Sequence, residues 1–192
     1  MYSKSVQIIL GLFIMSSILK ADEIYIYTGQ GVDNNLREMP ADILKVSLPY
    51  EKSYMLAVGG FIPIKHLWTN VLLGASGLVV WHYGIQNHIE TDVAYTLKYQ
   101  HFLPSNSFIQ ADYAMGMGLS YAFDTPVYED TASNGKYYRL QAFLHFDIEM
   151  YMPSSPSIAI LTRVHHRSGI YGIIAPQNVG SNFVTVGLSY HF

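Results

Sequence analysis

Apolar and polar residues alternate along much of the chain with a period of two, the side-chain spacing of a β-strand. The clearest case is 136–152, where the even positions form an unbroken apolar face and the odd positions carry mostly charged or polar side chains. A soluble β-sandwich would bury such an apolar face, whereas a membrane barrel turns it toward lipid and fills a narrow lumen with the polar face. The apolar face comprises Leu140, Ala142, Leu144, Phe146, Ile148, Met150 and Met152.

Eight segments of this kind predict strands, and eight is an even number, as bacterial membrane barrels require. A ninth candidate, 23–29, does not fit that parity. Either it is the true first strand and 43–62 contains only one strand, or it packs at the periplasmic rim; the pattern leaves both possibilities open. The eight predicted segments are 43–49, 54–62, 70–82, 90–103, 107–122, 136–152, 157–170 and 181–192.

Turn lengths predict the orientation of these strands. The segments 103–107 and 152–156 are short, whereas 124–136 is long and polar, and membrane barrels have short periplasmic turns and longer external loops.

The C-terminal NFVTVGLSYHF alternates and ends on an aromatic residue, which resembles the assembly signal of bacterial outer-membrane barrels. We therefore predict an all-β fold, an eight-stranded antiparallel up-and-down transmembrane β-barrel of the bacterial outer membrane, rather than a secreted sandwich or a lipocalin-like barrel. Side chains fill a barrel of this size, which argues against an open channel.

The first 21 residues predict a secretory signal peptide. Lys4 precedes an apolar run over 6–19, and Leu19-Lys20-Ala21 is a cleavage pattern. The run is short for a membrane span, although an uncleaved anchor is the alternative. The barrel would then occupy 22–192.

Without Lys4 and Lys20, nine basic residues face fourteen acidic ones, so no basic stripe indicates nucleic-acid binding. The absence of cysteine excludes disulfides and thiolate chemistry.

The segment RVHHRSGIYG (163–172) contains the most reactive side chains of the sequence. In the strand 157–170, His166 and Ser168 fall on the predicted lipid-facing side at the outer end, at the level of headgroups and ester bonds. An imidazole can take the proton of a serine hydroxyl, and residues i and i+2 of a strand share a face. The pair can equally be interfacial residues that tolerate the headgroup region.

With these features the chain resembles the outer-membrane lipid A 3-O-deacylases of the PagL type, a family within a broader set of acyloxyacyl hydrolase-like barrels. The resemblance rests on the signal peptide, the small barrel, the His-x-Ser pair and the stretches GLSYAFDTPVYED, HHRSGIYG and GSNFVTVGLSYHF. It implies that Ser168 attacks the ester of a 3-hydroxyacyl chain of lipid A, with His166 as the base. It also implies lipopolysaccharide and outer-membrane lipids as partners and no cofactor, and it leaves a homodimer open.

The sequence departs from this family at two positions. The orienting glutamate would fall near Val179-Gly180-Ser181-Asn182, a segment without an acid, where Asn182 lies on the outward face and its amide oxygen can accept a hydrogen bond from the imidazole. An amide can hold a histidine tautomer but does not stabilise the imidazolium as a carboxylate does. Gly169 stands where the family commonly has asparagine, so a backbone N–H would have to donate to the oxyanion. The alternative function is a non-enzymatic barrel serving envelope integrity, adhesion or lipopolysaccharide binding.

The other charged residues are interpreted as a lumen filling in which opposite charges pair. His82, His88 and His165 lack a diagnostic ligand spacing, so we predict no metal site. The residues placed on inward faces are His82, Glu90, Asp92, Asp112, Arg139, Asp147, Glu149, Arg163, His165 and Arg167.

Overall fold

The computed structural model describes residues 21–45, 47–104, 108–132, 137–176 and 179–192. The predicted signal peptide, 1–21, therefore lies outside the described residues except for its last position. Eight strands account for most of the described chain: β1 (Glu23–Val32), β2 (Tyr50–Trp68), β3 (Val71–Gly84), β4 (His88–Tyr99), β5 (Gln110–Ala122), β6 (Leu140–Met152), β7 (Ser155–Ser168) and β8 (Gly180–His191).

The strands form a closed barrel in sequence order. Every neighbouring pair is antiparallel, and β1 pairs with β8 from Glu23 opposite His191 to Val32 opposite Asn182. Closure satisfies the backbone hydrogen bonds of all strands and leaves no sheet edge. The predicted eight-stranded antiparallel up-and-down barrel is confirmed. Within the part of the chain that the structure describes, no helix is long and apolar enough to cross a membrane.

The prediction that 43–49 is the first strand is wrong. Segment 23–29 lies inside β1, so it belongs to the first strand of the barrel. The segment 43–62 contains only one strand, β2, which agrees with the first of the two possibilities that the sequence left open. A short helix, α1 (Met39–Lys45), takes the place of the predicted strand. Pro40 lies in its first turn, where a missing N–H costs no hydrogen bond, and Met39 is buried. The first three residues of the predicted strand therefore lie in a helical turn, and 47–49 lie outside any strand.

Side chains alternate between the lumen and the barrel exterior. In β4 the outward Val93, Tyr95 and Leu97 are exposed, and the residues between them are buried. Of the residues predicted to face inward, all are buried except Arg139. The inward prediction for Arg139 is wrong because this residue precedes β6 and its side chain, 47% exposed, extends to 3.8 Å from Asp124.

The two ends of the barrel differ in their connections. At one end the strands are joined by 69–70, 100–109 and 153–154, and at the other by 33–49, 85–87, 123–139 and 169–179. The second end has three long connections, which contain α1 and a 3-10 helix (Val127–Ala132). His166 and Ser168 lie at this second end.

Candidate functional site

β7 and β8 bring the three predicted site residues together on the outer surface. In the β7–β8 ladder His166 lies opposite Asn182 and Ser168 lies opposite Gly180. His166 and Ser168 share a face because they are two positions apart on one strand. Both are half-buried. The strand pairing, and not the sequence spacing alone, therefore places an amide beside the imidazole.

The hydrogen bonds of Asn182 define which ring nitrogen of the neutral His166 imidazole carries the proton. Asn182 Nδ2 donates to the backbone oxygen of Asn34, which can only accept, so Asn182 Oδ1 faces the histidine. His166 Nδ1 lies 2.6 Å from Asn182 Oδ1. An amide oxygen is an acceptor, so Nδ1 carries the proton and Nε2 presents its lone pair. This tautomer is the one that a serine-activating base needs.

The hydrogen-bond chain continues to an acid that sequence reasoning missed. Asn34 Nδ2 donates to Asp42 Oδ2, so His166, Asn182, Asn34 and Asp42 form one series. Asn34 follows β1 and Asp42 lies on α1, and both are half-buried. No local signal links them to β7 and β8, because the contact between Asn34 and Asn182 spans most of the chain. The carboxylate of Asp42 acts on the ring only through two amide groups.

The loop after Ser168 is tightly held. Gly169 N donates to Val179 O at 3.2 Å, and Gly169 O accepts from Ile174 and Ala175. A Cβ at Gly169 would lie 2.1 Å from Ala175 O. The glycine is therefore required by this close approach, and its own N–H is not available to an oxyanion.

Three consecutive residues of this loop have left-handed backbone conformations: Ile170 (φ 46°), Tyr171 (φ 50°) and Gly172 (φ 96°). Such a conformation is costly for a β-branched or aromatic residue and concentrates at functional sites. Among the described residues their N–H groups donate to no backbone carbonyl. Tyr171 OH accepts a hydrogen bond from Arg37 Nη2 at 2.7 Å, which ties this loop to the β1–β2 connection.

Glu129, in the 3-10 helix, is a buried acid near this end, but it serves the lumen. It lies 2.8 Å from Arg167 Nη1 and accepts a hydrogen bond from Ser181 Oγ at 2.8 Å. Arg167 and Ser181 alternate with His166 and Asn182 along their strands, so they point to the opposite side of the barrel wall. Burial raises the pKa of the Glu129 carboxyl, while Arg167 opposes the rise. Glu129 does not take the place of the family's orienting glutamate.

The described residues do not include a hydrogen bond between Ser168 and His166. Catalytic contacts are often long before substrate binds, and the shared face leaves the hydroxyl and Nε2 free to approach one another. The arrangement can thus supply a nucleophile and an oriented base on one surface, followed in the chain by the three N–H groups of 170–172, which donate to no backbone carbonyl among the described residues.

No protein-family model and no curated protein sequence matches the chain. Comparison with solved structures finds the crystal structure of the outer membrane enzyme PagL, with a TM-score of 0.58 and 10% sequence identity. The alignment covers 88% of this chain and 99% of that one. The chain therefore has the PagL-type barrel fold, and at this identity the comparison establishes the fold alone.

Proposed function

We propose that this protein is an outer-membrane serine esterase that removes an ester-linked acyl chain from lipid A. The observation that carries the proposal is the hydrogen bond from His166 Nδ1 to Asn182 Oδ1, which directs Nε2 to act as a base on the face that holds Ser168. The likeness to an outer membrane enzyme and the family resemblance of the sequence support the choice of substrate.

The barrel exterior supports a membrane location. Outward side chains of all eight strands include exposed large apolar residues, whereas the lumen holds buried charges, the inverse of a soluble protein. In this setting a site at the end of a strand lies at the depth of lipid headgroups and their esters. This proposal includes three further statements: the protein lies in the bacterial outer membrane, the signal peptide 1–21 is cleaved, and lipopolysaccharide is the partner.

The chemistry follows from the site. Ser168 Oγ attacks the ester carbonyl carbon and passes its proton to His166 Nε2, giving a tetrahedral oxyanion. The imidazolium then protonates the departing sugar oxygen, and the C–O bond of the ester breaks to leave an acylated Ser168. Water activated by His166 hydrolyses this intermediate, releasing the fatty acid. The N–H groups of 170–172 are the candidate donors to the oxyanion.

A non-enzymatic barrel that binds lipopolysaccharide is the second candidate. The observation that favours it is the amide of Asn182 beside His166, where a carboxylate would stabilise the imidazolium better.

Mass spectrometry of lipid A separates the two candidates. Cells that produce the protein should lose one acyl mass from lipid A, and cells that produce Ser168→Ala should not. Ser157→Ala is the matched control, since Ser157 is an exposed serine at the opposite end of the same strand. Lipid A of unchanged mass in all strains would favour the binding protein.

A further inference from the structure

Among the described residues, the charged side chains of the lumen include three groups that differ in their balance of acids and bases. Near the end that holds the connections 69–70 and 153–154, Lys98 bridges Glu23 and Glu149. At mid-height, Arg163 makes two hydrogen bonds of 2.7 Å to Asp147. Near the opposite end, which holds Ser168, the described residues place three carboxyl groups, those of Glu90, Asp92 and Glu129, with one arginine, Arg167. A buried surplus of acidic groups requires protons or a further cation.

Three potential ligands converge within this last group. His82 and His88 lie opposite one another in the β3–β4 hairpin, and Glu90 follows two positions later on the same face. Glu90 Oε2 lies 3.3 Å from His82 Nε2 and 3.9 Å from His88 Nε2. One ligand atom from each residue falls within 4.8 Å of the other two. Ligand atoms about 2.0–2.1 Å from a tetrahedral Zn²⁺ are about 3.3 Å apart, so the cluster is near this size already.

Unpaired buried polar atoms are concentrated around the same point. Among the described residues, neither ring nitrogen of His88 has a hydrogen-bond partner, and the same holds for His82 Nε2 and for both carboxylate oxygens of Asp92. Glu90 Oε2 makes no hydrogen bond of good geometry either, but it lies 3.1 Å from Arg167 Nη1. The side chains of His82, His88 and Glu90 are fully buried. Each unpaired buried group costs about 1–3 kcal/mol, and one cation bound by Glu90 would satisfy a ring nitrogen of His82 and one of His88 together.

We propose that His82, His88 and Glu90 bind one divalent transition-metal ion of the Zn²⁺ type inside the barrel. Two imidazoles and one carboxylate suit Zn²⁺, with a fourth position for water or Asp92. The ion brings positive charge to a group in which acids outnumber arginines. Arg167 stays beside it, because Glu129 and the backbone oxygen of Arg139 hold the guanidinium.

Supporting residues around the cluster are arranged as ligand-orienting groups. Gln86 is buried in the hairpin turn; its Nε2 lies 3.2 Å from His82 Nδ1, and its own Oε1 is unpaired among the described residues. If the amide turns its oxygen to Nδ1–H, the Nε2 lone pair of His82 is directed to the metal. His165 Nε2 lies 2.9 Å from Glu90 Oε1, and Arg167 Nη1 lies 3.1 Å from Oε2, whose second lone pair remains for the ion.

The other groupings of potential ligands are less suitable. Glu23, Glu149 and His191 lie close enough together, but the ammonium of Lys98 already occupies the space between the two carboxylates. Glu90, Asp92 and His165 also converge, but both ring nitrogens of His165 have partners, in Glu90 and in Tyr27 OH at 3.3 Å.

Metal analysis of the full-length protein, purified in detergent and treated with a chelator, tests the proposal. After addition of Zn²⁺ and removal of the excess, the wild type should retain one equivalent and unfold at a higher temperature. His82→Asn and His88→Asn should retain none, and Gln86→Ala should bind roughly ten- to a hundredfold more weakly, as for loss of an outer-shell partner. His66→Asn, at an exposed histidine on β2, is the control and should bind normally.

Cobalt substitution keeps the test decisive if a variant does not fold. Co²⁺ bound to the wild type should show the visible absorption of a four- or five-coordinate nitrogen and oxygen site. Failure of the wild type to retain Zn²⁺ would overturn the proposal and leave the cluster as a protonated or hydrated group. Retention that is equal in the wild type and in well-folded His82 and His88 variants would overturn it as well.

Discussion

At the scale of single residues, Asn182 is the position that decides how well His166 can work. Its amide orients the ring through Nδ1 but offers no negative charge to the imidazolium of the proposed attack by Ser168. The same amide anchors the site to the backbone of Asn34. The side chain of Asn182 therefore orients the His166 ring and attaches it to the backbone of Asn34, but it does not stabilise a positive charge on the imidazole.

Substitutions at Asn182 should separate these contributions. Asn182→Ala should lower kcat about tenfold or more, because the ring loses its orienting contact, and a tenfold change is about 1.4 kcal/mol of barrier. Asn182→Asp should raise kcat by supplying a countercharge, while it lowers the free energy of unfolding by about 1 kcal/mol, since the donor to Asn34 is lost. Kinetics and denaturant unfolding measure the two effects. Equal activity of all three proteins would contradict an orienting role.

At the scale of elements, α1 and the loop after β7 complete the site around the two strands. Asp42 on α1 holds Asn34, which in turn holds Asn182. We expect Asp42→Ala to lower kcat a few-fold with KM unchanged, because it loosens the amide chain behind His166. Glu38→Ala, at an exposed acid just before α1, is the control for surface charge. A change confined to KM would indicate that α1 contacts the substrate instead.

The loop 169–179 gives a second prediction at this scale. Gly169→Ala should abolish turnover but leave the barrel folded, because the added Cβ meets Ala175 O and displaces the left-handed segment 170–172. Gly77→Ala is the matched control, since a Cβ there has no neighbour within 4 Å. Activity and circular dichroism of both variants provide the measurement. Full activity of Gly169→Ala would remove 170–172 from the proposed oxyanion site.

Sequence patterns predicted the strands far better than the connections. Alternation located β3 to β8, because each strand has one face toward lipid or solvent and one toward the lumen. It failed at 43–49, because 43–45 belong to the helix α1 and 47–49 lie in no regular element. The His-x-Ser pair and Asn182 were visible because strands keep a fixed register. Asn34 and Asp42 were not, because only the folded loops bring them to β8.

At the scale of the whole molecule, the unequal connections at the two ends predict one orientation of the proposed membrane barrel. The long connections 33–49, 123–139 and 169–179 share the end that holds Ser168. We predict that a cysteine at Val127 is labelled from outside intact cells and that one at Ser154 is not. The native chain has no cysteine, so the labelling is specific. The reverse pattern would place the site in the inner leaflet and contradict lipid A as the substrate.

The central claim is that Ser168 becomes acylated during turnover, and intact-protein mass spectrometry tests it most directly. Purified protein mixed with lipopolysaccharide in detergent and quenched with acid should gain the mass of one fatty acyl group. Peptide mapping should locate that group on Ser168. Ser157→Ala should behave like the wild type, and Ser168→Ala should gain no mass. An acyl group on another residue, or fatty acid release by Ser168→Ala at the wild-type rate, would contradict the account.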